Sequence, residues 1–395
     1  MSETKLWLIS PRDPLIFRNG KPFTAAPGSR AETLPMPFPG TISGAVRTKA
    51  WTNSTTGVFD KSRINDPYNT RGPLLVELDS ANNIIAWFFP PPSDAVFFET
   101  SDKREKEADL FDLKPMPQQK FVMLDSKEMV LCGFEINKKE KTFRSPPSFW
   151  NWSTLLQWLE KPVSQMNVDL DSVGISHLPV EYRIHVAMVN ALQSVKEGAL
   201  FQTSGVEFNY QTGQNSPLQN TRRFGLVAIS DLDLHGGGLG FLGGEKRFVD
   251  WIPLQSKPPF ESCPKNIHDE IVDSGYCRLL LVTPAYFGGK NRPQKTLPNS
   301  GVEVIAVINN RFETVSGWDY QTRKPKPTKH LVPAGSILFL KLSDDLDKRK
   351  QFINRVWGQT IGDDLQLCSD GYGLSLLGTW DGNFRSMNME EAHDQ

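Results

Sequence analysis

The chain has 395 residues, two to three times the usual single-domain length, so two domains is the opening expectation. Hydrophobic residues make up 38%, and 44 Lys+Arg face 45 Asp+Glu; the net charge of −1 excludes a polybasic, histone-like protein but not a nucleic-acid binder with its cations on one face. Gly 30 and Pro 29 argue for many turns and short strands and against a helical bundle.

The first expected strand is Lys5 to Ile9, a short apolar run ended by Pro11. Turn-rich sequence follows, including Arg12-Asp13-Pro14, Arg18-Asn19-Gly20 and Pro35 to Gly40. Thr41 to Trp51 carries Ile42, Ala45, Val46 and Ala50 near helical spacing, which predicts a short helix. Gly44 inside it costs ~1 kcal/mol against alanine unless a backbone or a phosphate comes close there. From about residue 54 to 180 the composition changes. A triple proline, the charge run Asp102 to Glu107, Pro146-Pro147 and a Trp-rich helix near Phe149 to Leu159 read as an insertion in the first domain. Tyr182 to Val189 and Leu200 to Tyr210 alternate like the arms of a hairpin, with Lys196-Glu197-Gly198 in the link. Phe224 to Ile229 is a further strand that leads into a glycine-rich loop. Loop residues then run to about Cys277, with the domain boundary near 255 to 273. Leu279 to Val282, Val302 to Ile308 and Ile337 to Leu342 are strands of the second half, Arg323 to Lys329 is a basic loop, and Gly371 to Gly378 closes the chain with a second glycine cluster. Strands with few short helices predict two α+β domains of similar design, residues 1–255 and 256–395.

Cys132, Cys263, Cys277 and Cys368 are scattered without a C-x-x-C pair, so reduced, buried thiols are expected and neither a disulfide framework nor a zinc site. The N-terminus lacks the basic-then-apolar layout of a secretion signal, and the apolar stretch Ile84 to Phe89 falls far short of the ~20 residues that span a bilayer. A cytoplasmic chain with no membrane partner, metal or cofactor is the expectation.

Gly238-Leu239-Gly240-Phe241-Leu242-Gly243 fits the dinucleotide fingerprint, which works only as a strand-to-helix turn. Here Glu245 to Pro253 alternates like a strand, so a nucleotide cofactor is not expected. Six of the nine residues 236–244 are glycine, and their N–H groups lie open to a sugar–phosphate chain. Lys246 and Arg247 add charge beside them. His235 stands at the mouth of this loop as a lone candidate acid–base for RNA cleavage. No G-x-S-x-G, H-E-x-x-H or P-loop is present, and the chemistry reads as a binding surface.

The segment Asp13-Pro14-Leu15-Ile16-Phe17-Arg18-Asn19-Gly20-Lys21-Pro22-Phe23 resembles the opening signature of one family of repeat-associated (RAMP) CRISPR proteins, the third subunit of the Cmr, type III-B, effector complex. Pro39 to Thr48 looks like that superfamily's first-helix motif, with Gly40, Ser43 and Arg47 inside it. Glu181-Tyr182-Arg183, Glu197 to Phe201, Gly243 to Arg247 and Gly371 to Trp380 match in the expected order, while Asn19 stands where the family more often has Asp and residues 54–180 match nothing. The resemblance implies two ferredoxin-like (RRM-like) domains with glycine-rich loops and a large insertion in the first. It implies a non-catalytic subunit that grips the 5′ repeat-derived tag of the CRISPR RNA. Its partners would be a large polymerase-like subunit and other RAMP subunits, with target RNA reached indirectly. On this reading the candidate RNA contacts are Arg18, Gly40, Ser43, Arg47, Gly238, Gly240, Gly243, Gly244, Lys246, Arg247, Lys290 and Arg292. The enzyme alternative is a RAMP endoribonuclease that processes precursor CRISPR RNA with His235 as general acid–base.

Overall fold

The computed structural model describes residues 4–18, 30–100, 102, 105–117, 129–134, 141–189, 194–211, 221–297, 300–319 and 324–385. Leu6-Trp7-Leu8-Ile9 builds β1 (Lys5–Pro11), whose alternating side chains serve two cores: Leu6 and Leu8 on one face, Trp7 and Ile9 on the other. In α1 (Pro39–Trp51), Pro39 opens the helix where its missing N–H costs nothing. Ile42, Val46 and Ala50 recur every four residues and bury one stripe against Trp7, Ile9 and Leu226. β2 (Thr70–Leu78), β3 (Thr221–Ser230), β4 (Gly238–Leu242) and β5 (Arg247–Leu254) complete this half, in the antiparallel order β2-β3-β1-β5-β4. Ile84–Phe89, Phe149–Asn151 and Gly174–Ile175 extend the sheet beyond β2.

The second half contains α2 (Lys265–Ser274), β6 (Tyr276–Leu281), β7 (Glu303–Ile308), β8 (Ile337–Lys341), α3 (Leu346–Val356) and β9 (Ser375–Thr379). Its sheet runs β7-β8-β6-β9, again antiparallel. The architecture is α+β, with mostly antiparallel sheets and few helices. Counted within each half, β2-β3-β1-β5 and β7-β8-β6-β9 share one strand order, 2-3-1-4. The helix slots differ: α1 joins the first two strands of one half, and α3 joins the last two of the other.

Several expectations need correcting. The stretch read as an insertion supplies β2, a central strand of the first sheet. The decoration is smaller: a sheet of Ala95–Glu99, Glu107–Asp112 and Gln165–Asp169, and the helix Trp152–Glu160, capped by Asn151 accepting from Thr154 N–H. Arg278 on β6 and Asp94 tie it to the second half as an ion pair, both 1% exposed. Trp158 Nε1 donates to the same carboxylate at 2.9 Å. The hairpin pairs Val180–Val189 with Ser194–Val206, so Lys196 to Gly198 belong to a strand and the turn lies outside the described residues. The strand read as Phe224 to Ile229 starts earlier, so Arg222 and Arg223 sit on β3. The supposed loop before Cys277 holds α2, which buries only Ile267, Ile271 and Val272 and ends at Gly275 with φ 76°. α3, also unread in the sequence, starts where the Asp345 side chain accepts from Asp347 and Lys348 N–H. No helix among the described residues is long and apolar enough to cross a membrane.

Candidate nucleic-acid interface

β4 and β5 form a hairpin closed by a short 3₁₀ turn at Gly244–Lys246, so a strand follows the glycines where the fingerprint needs an α-helix. These glycines have two different reasons to be there. A Cβ on Gly240 would come 2.7 Å from Trp251 Nε1, and one on Gly243 would come 2.6 Å from the Ile16 carbonyl. Gly244 N–H donates to that same carbonyl at 2.7 Å, so these positions serve packing. Gly236 and Gly238 hold φ of 77° and 84°, and nothing lies within 4 Å of where their Cβ would be. Their backbone is reachable from outside.

The cations beside the hairpin divide in the same way. Arg247 pairs with Glu245 at 3.0 Å, and its side chain is 12% exposed. Lys246 is exposed, and no ion pair engages it among the described residues. Two contacts fasten the hairpin to α1. Lys49 Nζ donates to the Leu239 carbonyl at 3.0 Å, and His235 Nε2 lies 2.9 Å from the Ala50 carbonyl at the helix C-terminus. That contact engages one of the two ring nitrogens of His235.

On α1 the expected RNA contacts face inward. Ser43 Oγ donates to Asp370, as does Tyr68 OH at 2.6 Å. Arg47 stands 3.8 Å from the same carboxylate and 4.7 Å over the Tyr68 ring. Burial, and then the hydrogen bond to Asp370, push the Tyr68 phenol up to about 12. Gly40 lies under the Tyr372 ring, its would-be Cβ 3.2 Å from the hydroxyl. Arg47 serves the joint between halves, and Lys49 reaches the glycine hairpin.

The segment around Asp370 also gathers the basic loops. Lys329 pairs with Asp364 at 2.5 Å and lies over the Tyr286 ring. Asp363 accepts from the backbone N–H of Gln294 and Lys295, two and three residues after Arg292. Lys290 is exposed next to Gly288 and Gly289, whose would-be Cβ atoms meet nothing, and Arg292 is half-buried. Arg222 is held by Glu77 at 2.7 and 2.6 Å, and Arg223 by the 79–82 turn. Arg18 bridges to Thr33, and Asn19 to Phe23 and Arg323 lie outside the described residues. A cavity of about 160 Å³ opens beside the start of α1, lined by Phe38, Pro73, Phe88, Pro284 and Glu313. Burial raises the Glu313 carboxyl. The four cysteines are unbridged, and burial pushes the Cys132 and Cys263 thiols up to about 12.

Two features escaped the sequence reading. Asp370 and Tyr68 lie 302 residues apart, and no local pattern joins them. Phe241 and Phe248, exposed and facing each other across the hairpin with tilted rings whose centroids lie 4.9 Å apart, were hidden inside the glycine reading. The alternation Leu239, Phe241 was the available signal.

No curated protein matches the chain. Among solved structures it is similar to a chain of the type III-B Cmr-beta bound to cognate target RNA, at 16% identity over 93% of this chain and 95% of that one, TM-score 0.47. A second structure of Cmr-beta, with target RNA and AMPPnP, gives 16% over 94% and 94%, TM-score 0.44. A type III-A Csm3-Csm4 subcomplex gives 11% over 86% and 92%, TM-score 0.32. The family model described as CRISPR-associated protein (Cas_Cmr3) matches residues 7–380, from the first strand to Trp380. The chain belongs to the Cas_Cmr3 family of CRISPR-associated proteins.

Proposed function

We propose that this chain is the non-catalytic CRISPR RNA-binding subunit of a type III-B effector complex. It holds the 5′ repeat-derived tag and docks the large polymerase-like subunit and other RAMP subunits in the cytoplasm, meeting target RNA only through the guide. Family membership supports the setting. The shared 2-3-1-4 strand order supports reading each half as a ferredoxin-like domain, a scaffold that presents loops and a sheet face to single strands. The observation that carries the RNA reading is a hairpin with the reachable backbone of Gly236 and Gly238 at one end and, at its turn, the exposed Lys246, which no ion pair engages among the described residues.

Filter binding of labelled tag RNA to the chain, alone and with its large partner, tests this reading. Lys246→Ala should make the log–log salt dependence shallower by about one unit, the signature of one lost phosphate contact. Arg247→Ala should change it less, because Glu245 already neutralises that guanidinium. An assembled complex that carries no RNA on this chain would overturn the reading. RNA cleavage that vanishes in His235→Ala would replace it with the endoribonuclease.

A further inference from the structure

The hairpin β4–β5 carries an exposed aromatic pair that packing does not explain. Phe241 is 53% exposed and Phe248 41% exposed. They stand directly opposite in the register, with rings 4.9 Å apart and tilted by 40°. Strand alternation places them on the sheet face opposite α1, because their neighbours Leu242, Val249 and Trp251 belong to the core under that helix. Leu239, on the same face, is 49% exposed. The charges around the pair do not cancel. Asp250 is held by Arg12 at 2.6 and 2.9 Å and Glu245 by Arg247 at 3.0 Å, so both carboxylates are already neutralised. Lys246, in the turn two residues before Phe248, is exposed and in no ion pair among the described residues, and it adds a positive charge beside the pair.

We propose that Phe241 and Phe248 form a stacking platform for an unpaired base of single-stranded RNA, with flanking phosphates met by Lys246 at the hairpin turn and by the open glycine backbone at the other end of the hairpin. This inference rests on the RNA-binding reading and adds to it a base-contacting site on the edge hairpin. The charge around the pair fits a polyanion, and every base offers a π-face to an aromatic ring.

The test uses the full chain and a labelled short oligouridylate containing 4-thiouridine. Phe241→Ala with Phe248→Ala should weaken binding by roughly 5- to 150-fold, the usual worth of one stacked base, and leave the salt slope unchanged. Lys246→Ala should change the slope instead. Photo-crosslinks in the wild type should map to Phe241 or Phe248, and Phe241→Trp should retain them. Both phenylalanines are exposed, so a melting curve matching the wild type serves as the folding control. If the chain and its complex bind no RNA, the RNA-binding reading fails. If they bind RNA but the double alanine variant binds equally well, only the platform is overturned. A double variant that binds RNA normally yet no longer assembles with its complex would give the patch to a protein partner and overturn it too.

Discussion

The ion pair Arg47–Asp370 decides whether the first helix is a ligand-binding element or a joint between the halves. The charges lie 3.8 Å apart, and the side chains are 26% and 14% exposed. At an effective dielectric of about 20, unit charges at that distance attract by about 4 kcal/mol, and desolvation offsets much of it. Asp370 also accepts from the Ser43 and Tyr68 hydroxyls, so Asp370→Asn keeps an acceptor oxygen and removes the charge. That substitution should cost about 1.5–3 kcal/mol, the range for hydrogen bonds to a charged group. Combined with Arg47→Met in a double-mutant cycle, it should reveal a coupling of about 1–3 kcal/mol. Denaturant unfolding at neutral pH and low salt reads the four corners. The Tyr68 phenol provides a second readout: it should titrate lower in Asp370→Asn, though still above its ordinary value because it stays buried. Additive effects in the cycle would refute the joint and free Arg47 for a ligand.

Gly44→Ala should stabilise the chain by about 0.5–1 kcal/mol, since Gly44 sits inside α1 and its would-be Cβ meets nothing within 4 Å; a lowered melting temperature would contradict this helix geometry. Acid stability should depend on Arg385. Burial alone would raise the Asp112 carboxyl, but the Ser164 hydroxyl, Arg385 and Lys114 more than reverse that and hold it below its ordinary value. A depressed carboxylate contributes stability above its unfolded value, near pH 4, and loses it as pH falls through the folded value. Arg385→Ala should therefore move the start of acid unfolding to higher pH in melts taken from about pH 6 to about pH 3; an unmoved acid limb would refute the assignment.

Strands were the legible part of this sequence because both faces of the main ones are buried, which produces dense apolar runs. Leu6 to Ile9 and Leu226 to Ile229 could be read as strands without knowing their partners. The helices α2 and α3 were not legible for the opposite reason. Each buries a single narrow stripe, Ile267, Ile271 and Val272 or Phe352, Ile353 and Val356, and is otherwise polar. β2 was lost inside the presumed insertion because strand membership is set by a partner, β3, that lies some 150 residues away. The glycine segment was visible as composition, yet composition could not separate Gly240 and Gly243, which Trp251 and Ile16 demand, from Gly236 and Gly238, which face open space.

The two halves share a strand order but not their helix positions, and they do not separate into independent cores. In the first half α1 covers one face of the sheet, through Ile42, Val46 and Trp51. Between β3 and β5 the chain runs through β4 and contains no α-helix, so the other face is covered from elsewhere in the chain. Leu6, Leu8, Leu74, Val76, Val227 and Ile229 are buried there in one cluster with Leu279, Phe339 and Leu376 of the second half. A sheet face that in a lone domain would require its own helix is thus closed by the neighbouring half. β4 stands at the sheet edge, beyond this shared core, and there Phe241 and Phe248 stay exposed.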